Sequence, residues 1–102
     1  MKIVKVTYTT KESYSEQNQH FIKKVMDDLQ AQSHPGINYN TCLCADKKTF
    51  IHTAFFRSDE DQKILNELPA FKNFQEQLKA SGLEEPPKQE LLSLVGSSVS
   101  IF

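Results

Sequence analysis

An α+β fold is predicted for this chain, with one antiparallel sheet covered on one face by helices. Three observations predict it. Strand-like and helix-like stretches follow the order β-α-β-β-α-β. The two central strands are joined tightly through Asp46 and Lys47, which makes them a hairpin. Each helical stretch crosses between strands, and right-handed crossovers place both helices on the same side of the sheet. This is the ferredoxin-like arrangement.

Residues 3 to 10 alternate as a strand does, with Val4, Val6 and Tyr8 on one face and Ile3, Lys5, Thr7 and Thr9 on the other. "SYSE" at 13 to 16 matches a capping box, with Ser13 as N-cap and Glu16 reaching back. Phe21, Ile22, Val25, Met26 and Leu29 then recur at helical spacing to about Gln32, and "HPG" at 34 to 36 ends the segment. Strands are expected near 37 to 45 and 48 to 57. Ser58 with Asp61 gives a second capping signal, and Ile64, Leu65 and Leu68 begin a helix that Pro69 breaks or kinks. Phe71, Phe74 and Leu78 carry the next helical segment to Gly82, a natural C-cap. "LEEPPKQ" reads as a short linker, a last strand is expected at about 88 to 96, and residues 97 to 102 form an unassigned tail.

The 102 residues suit a single domain, residues 1 to 102, with the composition of a soluble globular protein. Twelve Lys and Arg against 13 Asp and Glu give a net charge of -1, which excludes the basic footprint of a nucleic-acid or anionic-membrane binder. The N-terminus alternates apolar and polar residues, unlike a signal peptide, and no apolar run reaches membrane-spanning length; a cytoplasmic protein is expected. Two cysteines do not make a disulfide scaffold.

The strands are apolar on both faces. Ile51 and Phe55 oppose Phe50, Ala54 and Phe56, and Leu91 and Val95 oppose Leu92 and Leu94. Helices cover only one face, and a bare apolar sheet would exceed what soluble monomers usually expose. A second sheet covering the first, and hence a homodimer, is inferred.

By element order, nearly the whole chain resembles the dimeric α/β-barrel superfamily, in particular the antibiotic-biosynthesis-monooxygenase-like group. The resemblance is most specific in "FFRSDEDQKILNELPAFKNFQEQL", where an aromatic strand end precedes a capped helix, a break and a Phe-bearing segment. It implies that the sheets pair face to face in a dimeric α/β barrel, with a ligand cleft between sheet and helices in each subunit. It also implies oxidation of a small aromatic metabolite, of phenol or quinol type, by molecular oxygen without metal or flavin. Where many relatives carry a tryptophan at the end of the third strand, this chain has Phe56, and it contains no Trp. Where many carry a histidine before the Phe-bearing segment, it has Leu65 to Leu68. The first strand also lacks the asparagine of haem-degrading relatives, so haem is not expected.

His52 is the candidate catalytic base, because an imidazole titrates near pH ~6.5 and burial tunes it. Alternation puts it on the face of Phe50, Ala54 and Phe56, and the resemblance turns that face toward the helices. The competing reading is a structural histidine held by hydrogen bonds. Tyr8, Phe50 and Phe56 are the candidate substrate-binding residues: Tyr8 could orient a phenolic substrate, and the two phenylalanines could wall an apolar cleft. Tyr14, Tyr39, His20 and His34 carry less weight. Cys42 and Cys44 lack the further ligands that tetrahedral zinc needs and are read as buried thiols, so neither metal nor cofactor is expected. The acids of "SDEDQ" suit a helix N-terminus. The second functional hypothesis is a non-catalytic dimeric module that binds a small ligand or responds to stress.

Overall fold

The computed structural model describes residues 1–102 and contains four strands and three helices. Strand β1 (Lys2–Thr9) leads through a 3-10 turn (Glu12–Tyr14) into helix α1 (Ser15–Gln32). The hairpin β2 (Ile37–Leu43) and β3 (Thr49–Phe56) follows. Helices α2 (Asp59–Glu67) and α3 (Pro69–Ser81) precede the last strand, β4 (Glu85–Leu92). The sheet order is β2-β3-β1-β4, and every neighbouring pair is antiparallel. The fold is α+β and ferredoxin-like. No helix is long and apolar enough to cross a membrane.

Pairing register puts Val4, Val6 and Tyr8 beside Ala54, His52 and Phe50. Tyr39, Thr41 and Leu43 extend that row onto β2. This is the helix-covered face. Its core joins Tyr8, Phe50 and Phe56 to Ile22 and Val25 of α1, Leu65 of α2, and Phe74 and Leu78 of α3. The opposite face is mixed: Lys5, Thr7, Thr53 and Asn40 lie among Ile3, Ile51 and Phe55.

The hairpin closes with Asp46, which accepts from the backbone N–H groups of Lys48 (3.0 Å) and Thr49 (2.9 Å) and from the Thr49 hydroxyl (2.5 Å). These bonds, the Thr49 hydroxyl first, hold the Asp46 carboxyl below its ordinary pKa. Lys47 takes the left-handed conformation that the turn requires (φ 67°).

The capping box at Ser58 forms. Its backbone N–H donates to the Asp61 carboxylate (3.1 Å), and its hydroxyl accepts from the Asp61 backbone N–H (3.4 Å). Pro69 separates α2 from α3. Leu68 is extended (φ -64°, ψ 123°), as the residue before a proline prefers, and it caps both helices. Gly82 ends α3 at φ 76°, where a side chain would be strained.

Three sequence expectations need correction. The capping box at Ser13 does not form: Tyr14 occupies the N-cap of α1 with no side-chain cap. Residues Glu12–Tyr14 are drawn into the 3-10 turn, and the Ser15 hydroxyl donates instead to the Lys47 carbonyl (2.6 Å), tying the helix to the hairpin. The last strand begins inside the expected linker and stops before Leu94 and Val95. Pro86 and Pro87 fall where two β4 residues lie opposite Tyr8 alone, a bulge between Thr7 and Thr9 on an edge strand, where missing N–H donors are tolerated. The thiols are not buried: Cys42 is exposed, because nothing in the chain covers that face of the edge strand β2, and Cys44, just past the strand's end, is only half-buried.

Candidate functional site

Between the sheet and helices α2 and α3 lies a cavity of about 500 Å³. Val4, Val6, Tyr8, Tyr39, His52, Ala54 and Phe56 form its sheet side. Leu65, Phe71, Phe74, Gln75, Leu78 and Lys79 belong to its helix side, and Pro87 and Gln89 to β4. A groove of similar size, about 510 Å³, runs between the end of α1, the start of β2 and Ile101. It is open to solvent, and its one histidine, His34, bonds the Gln32 side chain at the surface (2.8 Å). Only the cleft between sheet and helices combines aromatic walls with a buried polar cluster, so it is the candidate site.

At the centre of that cluster stands His52, 5% exposed. Its Nε2 lies 2.7 Å from the Tyr8 hydroxyl. Its Nδ1 lies 2.5 Å from the Tyr39 hydroxyl and 3.0 Å from Thr41 Oγ1. Hairpin register dictates the second pair of contacts, since Thr41 sits directly opposite His52 and Tyr39 opposite Ala54. The Asn18 side-chain amide of α1 donates to the Tyr8 hydroxyl (2.9 Å). Phe74 packs against the imidazole at 5.4 Å between ring centroids, and Phe71 meets Tyr39 edge-on at 6.2 Å.

Burial dominates the electrostatics. It lowers the His52 pKa from 6.5 to about 4, so the ring is neutral at physiological pH. It pushes the Tyr8 phenol well above its ordinary range, opposed in part by the bond from Asn18. Tyr39 is raised in the same way, opposed by its bond with Thr41. The cluster is a neutral hydrogen-bonded chain with no charge to solvate.

Of the residues singled out from sequence, His52, Tyr8 and Phe56 line the cavity. Phe50 does not reach it. That ring is 1% exposed and stacks behind Tyr8, with centroids 5.5 Å apart and planes at 16°. Both His52 nitrogens face protein hydroxyls, so no free lone pair of the ring points into the cavity. Sequence reasoning gave Tyr39 little weight and missed Thr41 and Asn18. A signal existed for the first two: paired positions of the hairpin are symmetric about Asp46 and Lys47, and that symmetry places Thr41 against His52. Asn18 occupies a position four residues before Ile22 on the buried stripe of α1, where a polar side chain signals a buried partner. No group of three or more His, Cys, Asp or Glu side chains is arranged to hold a metal ion.

The architecture is that of the antibiotic-biosynthesis-monooxygenase-like proteins, and solved structures bear this out. A candidate antibiotic biosynthesis monooxygenase from Nitrosomonas europaea superposes with a TM-score of 0.79 at 15% identity, over 94% of this chain and 100% of that one. One from Caulobacter crescentus gives 0.78 at 14% identity, over 93% and 90% of the two chains. One from Deinococcus radiodurans gives 0.70 at 15% identity, over 100% and 99%. At such identities the likeness establishes the fold alone. No protein-family profile matches the sequence, and no curated protein matches it either.

Proposed function

We propose that the cleft binds a small aromatic metabolite of phenol or quinol type and that the protein is a monooxygenase-like enzyme oxidising it with molecular oxygen. The observation that carries this reading is one cavity in which the rings of Phe71 and Phe74 face a buried chain of Tyr8, His52 and Tyr39, with Phe56 beside that chain on the sheet. The fold shared with candidate monooxygenases supports it. A phenol that becomes a quinone loses two hydrogens and gains one oxygen, and the second oxygen atom leaves as water. The substrate supplies the electrons, so the reaction needs no bound metal or flavin.

In this scheme His52 acts through Tyr8. The Tyr8 oxygen takes the substrate hydroxyl proton while its own proton passes to Nε2, 2.7 Å away. An anionic substrate beside the ring favours the imidazolium that burial alone disfavours. Oxygen uptake with a panel of naphthols and hydroquinones, under labelled O2, tests the proposal. One labelled oxygen in the product, and loss of turnover in Tyr8→Phe, are expected. Saturable binding without oxygen uptake would instead establish the second reading, a non-catalytic binding module. The engagement of both His52 nitrogens by protein partners favours that reading.

We further propose that the chain works as a homodimer. Apart from Met1, the exposed large apolar residues all lie in β4 and beyond: Leu91, Leu92, Leu94, Val95, Val99 and Phe102. Burying this strip against a second copy removes a patch that a monomer would leave in water. Light scattering should report about twice the chain mass of 11.7 kDa, and a well-folded monomer at micromolar concentration would refute the dimer.

A further inference from the structure

The hydrogen bonds of the buried cluster set a direction for its protons. Asn18 is fully buried; its Nδ2 donates to the Tyr8 hydroxyl, and its Oδ1 has no partner. The reversed amide would leave the whole amino group without an acceptor, and unpaired buried N–H groups are the rarer kind. The Tyr8 oxygen therefore receives a hydrogen from Asn18, and its single proton goes to His52 Nε2. Because burial keeps the ring neutral, a proton-accepting Nε2 places the imidazole proton on Nδ1.

That Nδ1–H has two oxygens before it, Tyr39 at 2.5 Å and Thr41 at 3.0 Å. Tyr39 is the nearer. Its oxygen accepts from the imidazole, and the Thr41 bond also acts in the direction that stabilises charge on that oxygen. With the imidazole N–H and the Thr41 hydroxyl both donating to that oxygen, the hydroxyl proton of Tyr39 turns away from the cluster. Tyr39 borders both the cavity and the open groove beside α1, but its hydroxyl sits against His52, which lines only the cavity, so the proton is available there.

We propose that Tyr39 donates the hydrogen bond that orients the bound molecule, and that Asn18, outside the cleft, sets the proton direction that leaves Tyr39 free to do so. The proposal deepens the ligand-site reading above and depends on it for the existence of a ligand. It narrows the ligand class: an aromatic ring that presents an oxygen acceptor, a carbonyl or phenolate, to Tyr39 while packing against Phe71 and Phe74. Asn18 is a positioning residue, because it does not line the cavity and reaches the ligand only through Tyr8 and the groups bonded beyond it.

Two measurements test it. Long-range proton–nitrogen NMR of the wild-type protein reads the His52 tautomer without any ligand; protonated Nδ1 is expected, and protonated Nε2 overturns the proton direction. In Asn18→Asp a carboxylate draws the Tyr8 proton toward itself, and His52 should change to the Nε2-protonated form. A folded variant that keeps the Nδ1 form removes Asn18 from its role. The second measurement compares binding of 1-tetralone, an aryl ketone, with tetralin, which lacks the oxygen. The wild-type protein should prefer the ketone by about tenfold, and Tyr39→Phe should lose that preference, as expected for one buried hydrogen bond. A preference that survives in Tyr39→Phe, or none in the wild type, overturns the assignment of Tyr39 alone. Failure of both compounds to bind the wild-type protein defeats the ligand site itself, and the assignment with it, while the tautomer is still read from NMR.

Discussion

Acidification should destabilise this protein through His52, and the size of the effect follows from its burial. The ring is 5% exposed, and burial lowers its pKa from 6.5 to about 4. Above the unfolded-state value, both the folded and the unfolded imidazole are neutral and the group adds no pH dependence. Between the two values the unfolded chain binds a proton that the folded chain refuses, so stability falls as pH falls and levels off below about 4. The difference between 6.5 and about 4, at about 1.4 kcal/mol per pH unit, comes to about 3 kcal/mol. His52→Gln isolates the term, because glutamine keeps hydrogen-bonding capacity and does not titrate. Urea unfolding of both proteins should be followed from about pH 7 to about pH 4 at one fixed protein concentration, since association would otherwise shift the midpoint. At neutral pH the variant should be less stable by about 1 to 3 kcal/mol, the cost of imperfectly paired buried hydroxyls. That deficit should close or reverse in acid as the wild type loses its advantage. Parallel stability curves for the two proteins would refute the buried, neutral histidine.

The other predictions concern single contacts. Tyr8→Phe strands the Asn18 amide and His52 Nε2 together, so calorimetry should show a loss of about 2 to 4 kcal/mol; an unchanged melting temperature would mean that the cluster contributes no stability. Ser58→Ala removes the capping box of α2 and should cost about 1 kcal/mol in urea unfolding. Gly36→Ala should act on the same feature, because a β-carbon at Gly36 would overlap the Asp61 carboxyl group that completes the box. The double variant should therefore lose clearly less than the sum of the two single losses; full additivity would separate the glycine from the cap.

Much of the fold was legible because local rules and tertiary context agree. Alternation in "MKIVKVTYTT" and "FIHTAFF", the helical spacing of Ile22, Val25 and Leu29, and Pro69 between two apolar segments each allow one structure, and that structure forms. The local rule failed where a longer-range demand outweighed it. The Ser13 motif is a sound cap, but Ser15 is taken by the Lys47 carbonyl across the fold. "LEEPPKQ" has the composition of a linker, yet β1 offers an open edge with a bulge that accepts both prolines. Alternation also set which face His52 shares with its neighbours, and hairpin symmetry contained its pairing with Thr41. What the ring meets there depends on parts of the chain distant in sequence. Asn18 is 34 residues before it, and it reaches the ring only through Tyr8, 44 residues away. No periodicity encodes such a meeting, because α1 must dock on the sheet before the amide, phenol and imidazole come within hydrogen-bond reach. The sequence by itself determined that a titratable ring lies on the covered face. Only the tertiary structure decided that both its nitrogens are occupied, because hydrogen bonds are set by angstroms of packing between elements and not by spacing within them.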